Sequence, residues 1–548
     1  MIFTLQRYIF RELIKVFVPA VLALTVILSL GSILRPVQEY GVGPRQVLHL
    51  MLYFLPITLT FVLPMAALFA GALVYGRLAG DNELDASRAS GISLLTLVYP
   101  GLALAIIVAI CNLILSFHIM PVFVHLAEKS LKADAKQILF RNVQRKPYYK
   151  LPPDGRYLIY ADYANPQNNT LFGVVVTEVK KDGIKKIITA QSAKVTFNPS
   201  DRFNEVQITA YKTDQMGPED QAWFYAEYLS VTTEFGSLLS DDIKFKKIDE
   251  MKRIKSDPMR FYPIAKLARE TYAQFTTELL AQDIASQIVN DTNSPSAPLA
   301  GYKLHSGEKL VEFTASNVTV SEKKVELSGD IMVAESDAAT KQPPRGRCTL
   351  RTAKNGKASL YIEGDELAPT LTMDIYNARV EETGDLRMRH VIRGLILPNA
   401  VDSVISRFQT EDGLLKVERL VSPASGAPLR KDPSPELTAL QNKLRRTIQR
   451  TLVQIDSEIH SRLVFGIGCV SMILIGIGLG IIKKGGHLLS AFGVSCIPAA
   501  VLIVCIMSGK QLAENISSKN ISGIALMWAG LAFLFLLAAG IYHRLLKY

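Results

Sequence analysis

The 548 residues carry a formal net charge of +11, with 49% hydrophobic and 20% charged residues and a positive mean hydropathy. That balance excludes an ordinary soluble globule and fits a chain shared between membrane and water. The basic residues are dispersed over loops and strands without a clustered basic helix or aromatic platform, which excludes nucleic acid as partner; anionic lipid or a phosphorylated ligand accounts for the charge better.

The chain opens with RYIFRELIKVFV, in which Ile9, Leu13, Val16 and Phe17 fall close to one helical face. This stretch is read as lying along the inner membrane surface before turning in, or as an early start of the first spanning helix, and the two readings are compatible. Uncharged runs follow at Val16 to Leu34, Val47 to Gly76, Ile92 to Phe117, Leu463 to Ile482, Leu488 to Gly509 and Ile521 to Tyr542. Each reaches the roughly 20 residues that cross a bilayer, which predicts six transmembrane helices, three at each end. The first run lacks a small-residue cleavage pattern and is expected to be retained.

Arg7, Arg11, Lys15, Arg77, Arg88, Lys483, Lys484, Arg544 and Lys547 flank the helices on one side, against Arg35, Arg45, Lys510 and Lys519 in the short loops opposite. The richer side is assigned to the cytoplasm, with both termini inside. The segment from His118 to Arg462 is then expected outside, in the periplasm of a two-membrane cell. Arg35 directly follows the first run, before Pro36, where a helix break is expected, and Arg45 lies just beyond. Arg35 has two readings: it snorkels into the outer headgroups, or it faces the bundle interior and holds a phosphate. The second run is long for the bilayer, and Pro56 and Pro64 offer places to kink if neighbours satisfy the freed carbonyls.

Between the second and third runs lies GDNELDASRASGISLL, Gly80 to Leu95. A short cytoplasmic helix is expected, with Asp81 or Asn82 accepting from the first turn, Glu83 favoured by the helix dipole and Gly91 closing the far end. Such a helix suggests a docking surface; a solvated loop is the plain alternative.

After a polar helix at Glu128 to Lys136 the pattern changes to short strands: YLIY, TLFGVVVTEV, KIITAQSAKVTF, EVQITAYKT and AWFYAEYLSVTTEF. A helix from Pro263 to Val289 presents Ile264, Leu267, Phe275, Leu279 and Ile284 on one face. Strands then return as LVEFTAS, NVTV, KKVELSGDIMVAE, RCTLRT, KASLYIE, LTMDIYNARV and LRMRHVIRGLIL. ITAQSAKVTF followed by EVQITAYKTDQ echoes FTASNVTV followed by KVELSGDIMVAES, which suggests two related β modules. Val421 to Pro435 reads as a proline-rich linker. From Leu437 to Ile459 apolar residues recur at helical spacing without a breaker, predicting one long helix into the fourth span that carries the outer domain on the bundle and ends near Lys483 and Lys484.

The domains expected are a membrane half at 1–140 with its cytoplasmic helix at 80–95, a β module at 141–250, a helical connector at 251–300, a second β module at 301–421, a linker at 422–435, and a long helix with three spans at 436–548. The fold class is an α-helical membrane protein of six spans with a large all-β, jelly-roll-like outer region.

No GxxxxGK[ST] occurs, so the chain carries no phosphate loop for hydrolysing ATP. The apolar runs hold no interior acidic or basic residue of the kind that relays protons, and no nucleophile and base arrangement or metal pattern is present; no catalytic residue, metal ligand or cofactor is assigned. His49 and His118 read as interfacial. Asp81, Glu83, Asp85 and Arg88 read as one solvated face. Of the five cysteines, Cys111, Cys469, Cys496 and Cys505 lie in apolar runs and are expected to be buried, while Cys348 lies in the central region.

RYIFRELIK, the long second run, NELDASRASGIS, and EIHSRLVFGIGCVSMILIGIGLGI, set three helices either side of an outer β region, together resemble the lipopolysaccharide export permeases, the Lpt F and G subunits. The likeness is carried by 1–140 and 442–548, and GRYLIYADYANP to EVQITAYKT resembles the family's jelly roll. It implies an inner-membrane permease half of an ABC exporter, pairing with a second F- or G-like half over an LptB-like ATPase dimer that binds the ATP. Lipopolysaccharide would pass to LptC/LptA-like bridge proteins, its acyl chains held within the jelly roll and its sugars outside. By the same resemblance Gly80 to Gly91 is the coupling helix, with Glu83 as acidic contact and Leu84, Ser87, Arg88 and Gly91 around it, while Arg35 and Arg45 meet the lipid headgroup. The second β region departs from the family, and KKVELSGDIMVAES looks like the bridge components. Two other readings stand beside this one: a membrane-anchored periplasmic lipid-binding or scaffold protein, and an ion-driven lipid transporter, which the lack of intramembrane charge disfavours.

Overall fold

The computed structural model describes the chain apart from residues 1, 41–43, 134–138, 141–142, 145–147, 151–156, 181–182, 200–203, 217–222, 236–241, 292–300, 307–308, 322–323, 338–347, 364–369, 382, 399–433, 483–487, 515–519 and 548. It divides into two compact units, one formed by Met1–Ser256 with Arg450–Tyr548 and the other by Asp257–Gln449.

In the first unit the N-terminal helices are α1 (Ile2–Tyr40), α2 (Pro44–Gly80), α3 (Glu83–Ala89), α4 (Leu94–Ile114) and α5 (Met120–Ala133), the last two joined through a π-helical turn at Leu115–Ile119. The later helices are α6 (Ile248–Ser256), α7 (Tyr262–Asp291), α8 (Pro435–Ile482), α9 (Leu488–Glu514) and α10 (Asn520–Lys547), of which α7 and the start of α8, as far as Gln449, belong to the second unit. Among the described residues six helices are long and apolar enough to cross a membrane, as the six runs imply. The N-terminal stretch is the early start of the first span: α1 is continuous from Ile2, with Ile9 and Leu13 buried and Val16 and Phe17 packed on the same core. No break follows Arg35, because α1 runs through Pro36 to Tyr40. Cys469 is buried as expected, but Cys111 is exposed on α4: an apolar run in a lipid-facing helix turns some of its residues outward, so burial does not follow from the run alone.

Helix α2 passes Pro56 and Pro64 unbroken. A proline has no N–H for the carbonyl four residues earlier, so Pro64 leaves Thr60 O without its helical donor. The buried Asn112 of α4 supplies one, its Nδ2 donating to Thr60 O at 2.9 Å. The Tyr75 hydroxyl, at the other end of α2, donates to Leu97 O at 2.8 Å and accepts from Gly101 N at 3.3 Å, inserting into the backbone ladder of α4 beside Pro100.

Helix α8 packs against α2 through glycines. A Cβ at Gly480 would stand 2.5 Å from Ala72 O, and one at Gly476 would stand 2.8 Å from Leu68 O. These two glycines, four apart, share a face and bring the two backbones together. Gly478, on the opposite side, instead makes room for Ile541 of α10, and Gly468 for Leu502 of α9.

The first β module is an antiparallel meander, β1 (Tyr149–Lys150), β2 (Tyr157–Asn165), β3 (Thr170–Lys180), β4 (Gly183–Pro199), β5 (Asn204–Met216) and β6 (Trp223–Phe235), paired in chain order. All five expected strands are present. One face packs Ile159, Leu171, Val174, Ala193, Val195 and Ile208 against Leu139, Phe140 and Val143.

In the second unit the strands are β7 (Tyr302–Ser306), β8 (Lys309–Thr314), β9 (Asn317–Ser321), β10 (Lys324–Gly329), β11 (Met332–Asp337), β12 (Cys348–Glu363), β13 (Thr370–Val380) and β14 (Leu386–Ile396). The order is β11-β8-β7-β14-β13-β12-β10-β9, and β12 also pairs with β11, closing a barrel-like ring. KKVELSGDIMVAE divides into β10 and β11 at Gly329, whose φ of +103° favours glycine, whereas RCTLRT and KASLYIE run together as β12 through a bulge between Thr352 and Lys357. The sequence echo corresponds to a long bent hairpin in each sheet. β8–β9 returns on β10–β11 with a bend after Thr314, and β4 returns on β5 with a bend where Lys212 has φ +50°. The sheets around these hairpins differ, one open and the other closed. The expected face of α7 is buried in the same unit, where Phe275, Leu279 and Ile284 join the ring's core.

At the start of α8, Ser434 accepts at its Oγ from Leu437 N at 3.0 Å, while its own N–H and hydroxyl donate to the buried Glu278 of α7. The proline-rich stretch before Ser434 lies outside the described residues.

The Asn112–Pro64 compensation gives a double-mutant cycle. Asn112→Leu should destabilise the detergent-solubilised protein by about 1–3 kcal/mol, the cost of an unpaired buried carbonyl. Adding Pro64→Ala restores the donor within α2, so thermal melting should show the second substitution recovering much of the loss.

Candidate functional site

The polar segment between α2 and α4 folds as expected into a short helix, but its ends are built differently from the expectation. Asn82 does not cap α3 with its side chain; it occupies the left-handed region at φ +60°, because the chain must reverse directly from the end of α2. Asp81 N bonds Arg77 O at 2.8 Å and Asn82 N bonds Ala79 O at 3.3 Å, so the reversal satisfies its own backbone. At the far end Gly91, at φ +83°, donates to Arg88 O at 2.9 Å and Ile92 N donates to Ser87 O at 3.2 Å, a Schellman closure. Ser93 then caps α4, accepting from Thr96 N.

The candidate residues separate by face. Glu83 is exposed at the first position of α3, Arg88 and Gly91 are exposed, and Ser87 is half-buried with its hydroxyl donating to Glu83 O at 2.8 Å. Leu84 alone turns inward, 4% exposed, into the core that holds Ile9, Leu13, Leu78 and Leu97. It is thus the attachment of α3 to the bundle rather than part of the outward surface. Beside it, Glu12 of α1 binds Arg77 of α2 at 2.5 Å and Lys15 at 2.6 Å, tying the two helices where α3 begins. Arg35 lies within α1 and Arg45 within α2; their side chains fall outside the described residues.

Sequence reasoning missed a second polar centre, at the other end of the α8 span. Arg462, from EIHSR, is buried and donates from Nε to Glu458 Oε1 at 3.0 Å, from Nη1 to Ser116 O at 3.1 Å and Lys246 O at 3.3 Å, and from Nη2 to Lys244 O at 2.7 Å. Lys510 of α9 is the third member of the group, 2.6 Å from Glu458 Oε2. Ser116 sits in the π-helical turn, whose displaced carbonyl is thus used, and Lys244 and Lys246 follow the first β module. One guanidinium therefore joins three parts of the first unit. The signal was present in the sequence as Glu458 and Arg462 four apart at a span boundary. Among the described residues no group of acidic, histidine and cysteine side chains is arranged to hold a metal ion.

The family model described as lipopolysaccharide export system permease LptF/LptG matches residues 7–282 and 366–544. The chain belongs to this family. It is a multi-pass membrane permease subunit of lipopolysaccharide export, and the match takes in α1 to α6, most of α7, β1 to β6, β13, β14 and the three C-terminal helices while omitting 283–365, which hold the end of α7 and β7 to β12. No curated protein matches the chain.

If Leu84 is what holds α3, Leu84→Ala should cost about 2–5 kcal/mol locally. Limited trypsin digestion at Arg88 should then run several-fold faster, with the melting of the remaining bundle changed far less.

Proposed function

We propose that the chain is one permease half of an ABC exporter that extracts lipopolysaccharide from the inner membrane, driven by a separate LptB-like ATPase dimer and paired with an F- or G-like second half. The observation that carries this reading is α3: a helix seated on the bundle by Leu84, with Glu83, Asp85 and Arg88 exposed around it. A connector between spans needs no such surface, whereas a chain without a phosphate loop needs a way to receive force from one that has it.

In this reading Glu83 makes the acidic contact, Ser87, Arg88 and Gly91 complete the coupling surface, and both termini are cytoplasmic. The β modules stand in the periplasm and hand lipid to LptC/LptA-like bridge proteins, and the domains follow the boundaries given above. Arg35 and Arg45 meet the phosphorylated headgroup. The chain itself needs no cofactor, ATP being bound by the partner.

Glu83→Arg should reduce ATP-driven lipid release from proteoliposomes at least tenfold while leaving the fold intact, since Glu83 makes no core contact; unchanged release refutes the coupling role. Arg35→Glu should lower photo-crosslinking of lipopolysaccharide to neighbouring cavity positions several-fold, and equal crosslinking refutes the headgroup assignment. A scaffold that only tethers the β modules would retain no ATPase in a gentle detergent pull-down.

A further inference from the structure

The outer face of the first β module carries a feature that the export reading does not use. Tyr163, Phe172, Ser192, Tyr211 and Tyr228 are successive register partners across β2, β3, β4, β5 and β6 and so form one transverse row. Its four aromatic residues are 58%, 42%, 44% and 68% exposed, and the Tyr163 and Phe172 rings lie 6.1 Å apart at 29°. Five strands at about 4.8 Å spacing make the row about 19 Å long. A parallel row ends in Tyr160 and Tyr225, 42% and 62% exposed.

Between the two rows runs the bend of the sheet, where Gly173 and Lys212 have positive φ. The bend exposes Asp162, Gln191, Lys212 and Glu227. Gly173 has φ +58°, and a Cβ there would press on the Asp162 side chain. The opposite face of the sheet packs a separate apolar core, so these aromatics are not spare core residues.

We infer that this face binds uncharged pyranose sugars, and specifically the saccharide part of the exported glycolipid. Aromatic faces carry partial negative charge and attract the polarised C–H bonds of a sugar ring, while flanking carboxylates and amides accept and donate to its hydroxyls. Two carboxylates, Asp162 and Glu227, stand along the bend with one ammonium, Lys212, which suits a neutral ring rather than a phosphate. The charged groups among the rings also oppose burial in a lipid surface, and a β-rich protein partner is better served by an edge strand. The identity of the saccharide rests on the export reading; the stacking itself does not.

The test uses the full chain in detergent with two probes, the lipid-free oligosaccharide released from lipopolysaccharide by mild acid and lipid A alone. Saturation-transfer NMR should show the oligosaccharide bound by the native chain. The triple substitution Tyr163→Ser, Tyr211→Ser, Tyr228→Ser should weaken it at least tenfold without changing lipid A binding. Tyr211→Trp should keep or strengthen binding, and Tyr228→Ser alone, at the most exposed position, should weaken it several-fold, so the inference stands or falls even if the triple variant does not fold. No oligosaccharide signal from the native chain, equal affinity in Tyr228→Ser, or loss of retention of a jelly-roll protein with sugar binding unchanged would each overturn it. Sugar binding without ATP-driven release would refute the export reading instead, and release without sugar binding would refute only this inference.

Discussion

The close approach of α2 and α8 is the constraint on which the membrane part depends. Gly476 and Gly480 bring the two backbones into contact, while Gly478 and Gly468 leave room for the side chains of Ile541 of α10 and Leu502 of α9. In lipid there is no hydrophobic gain from bringing apolar helices together, so association rests on such packing and on polar links between helices. α2 supplies those links in the other direction, through Asn112 at Thr60 O and Tyr75 at the ladder of α4. The two helices thus form a spine against which the remaining spans are set.

The spine gives the short polar helix its meaning. α3 sits directly after the last turn of α2, held by Leu84 in the same core as Tyr75 and Leu97, while the Glu12–Arg77 pair ties α1 to α2. A load applied to the outward residues of α3 therefore reaches packed helix rather than a slack loop. At the other end of the span of α8, Arg462 binds backbone carbonyls of Ser116, Lys244 and Lys246, so the same helix is fastened to the chain entering and leaving the first β module. A buried guanidinium is costly unless its donors are used, and here they are.

Much of this was legible from residue order. The six spans, the five long strands of the first module, most strand-forming runs of the second and the face of α7 follow from hydrophobic period and length, which depend on local pattern alone; β7 and the division into β10, β11 and β12 do not. What was not legible depends on partners distant in sequence. Asn112 looks like an anomaly in an apolar run until Pro64 is seen to have left a carbonyl open, and Arg462 looks like an ordinary boundary cation until its carbonyl partners are known. The N-terminal end of α3 was misread because Asn82 serves the chain reversal through its backbone, not its side chain. Closure of the second sheet needed the β11–β12 pairing, and no sequence period encodes which strand edges meet. The aromatic row of the first sheet was equally hidden, since its members are separated by up to 20 residues and align only through register.

The central claim is that α3 transmits work from a separate ATPase to the bundle. Hydrogen exchange of the peptide covering Gly80 to Leu95, measured in nanodiscs with and without the ATPase dimer, addresses it most directly. The account predicts strong protection of that peptide on ATPase binding. ATPase binding with unchanged exchange there, or protection confined to other cytoplasmic segments, would contradict it.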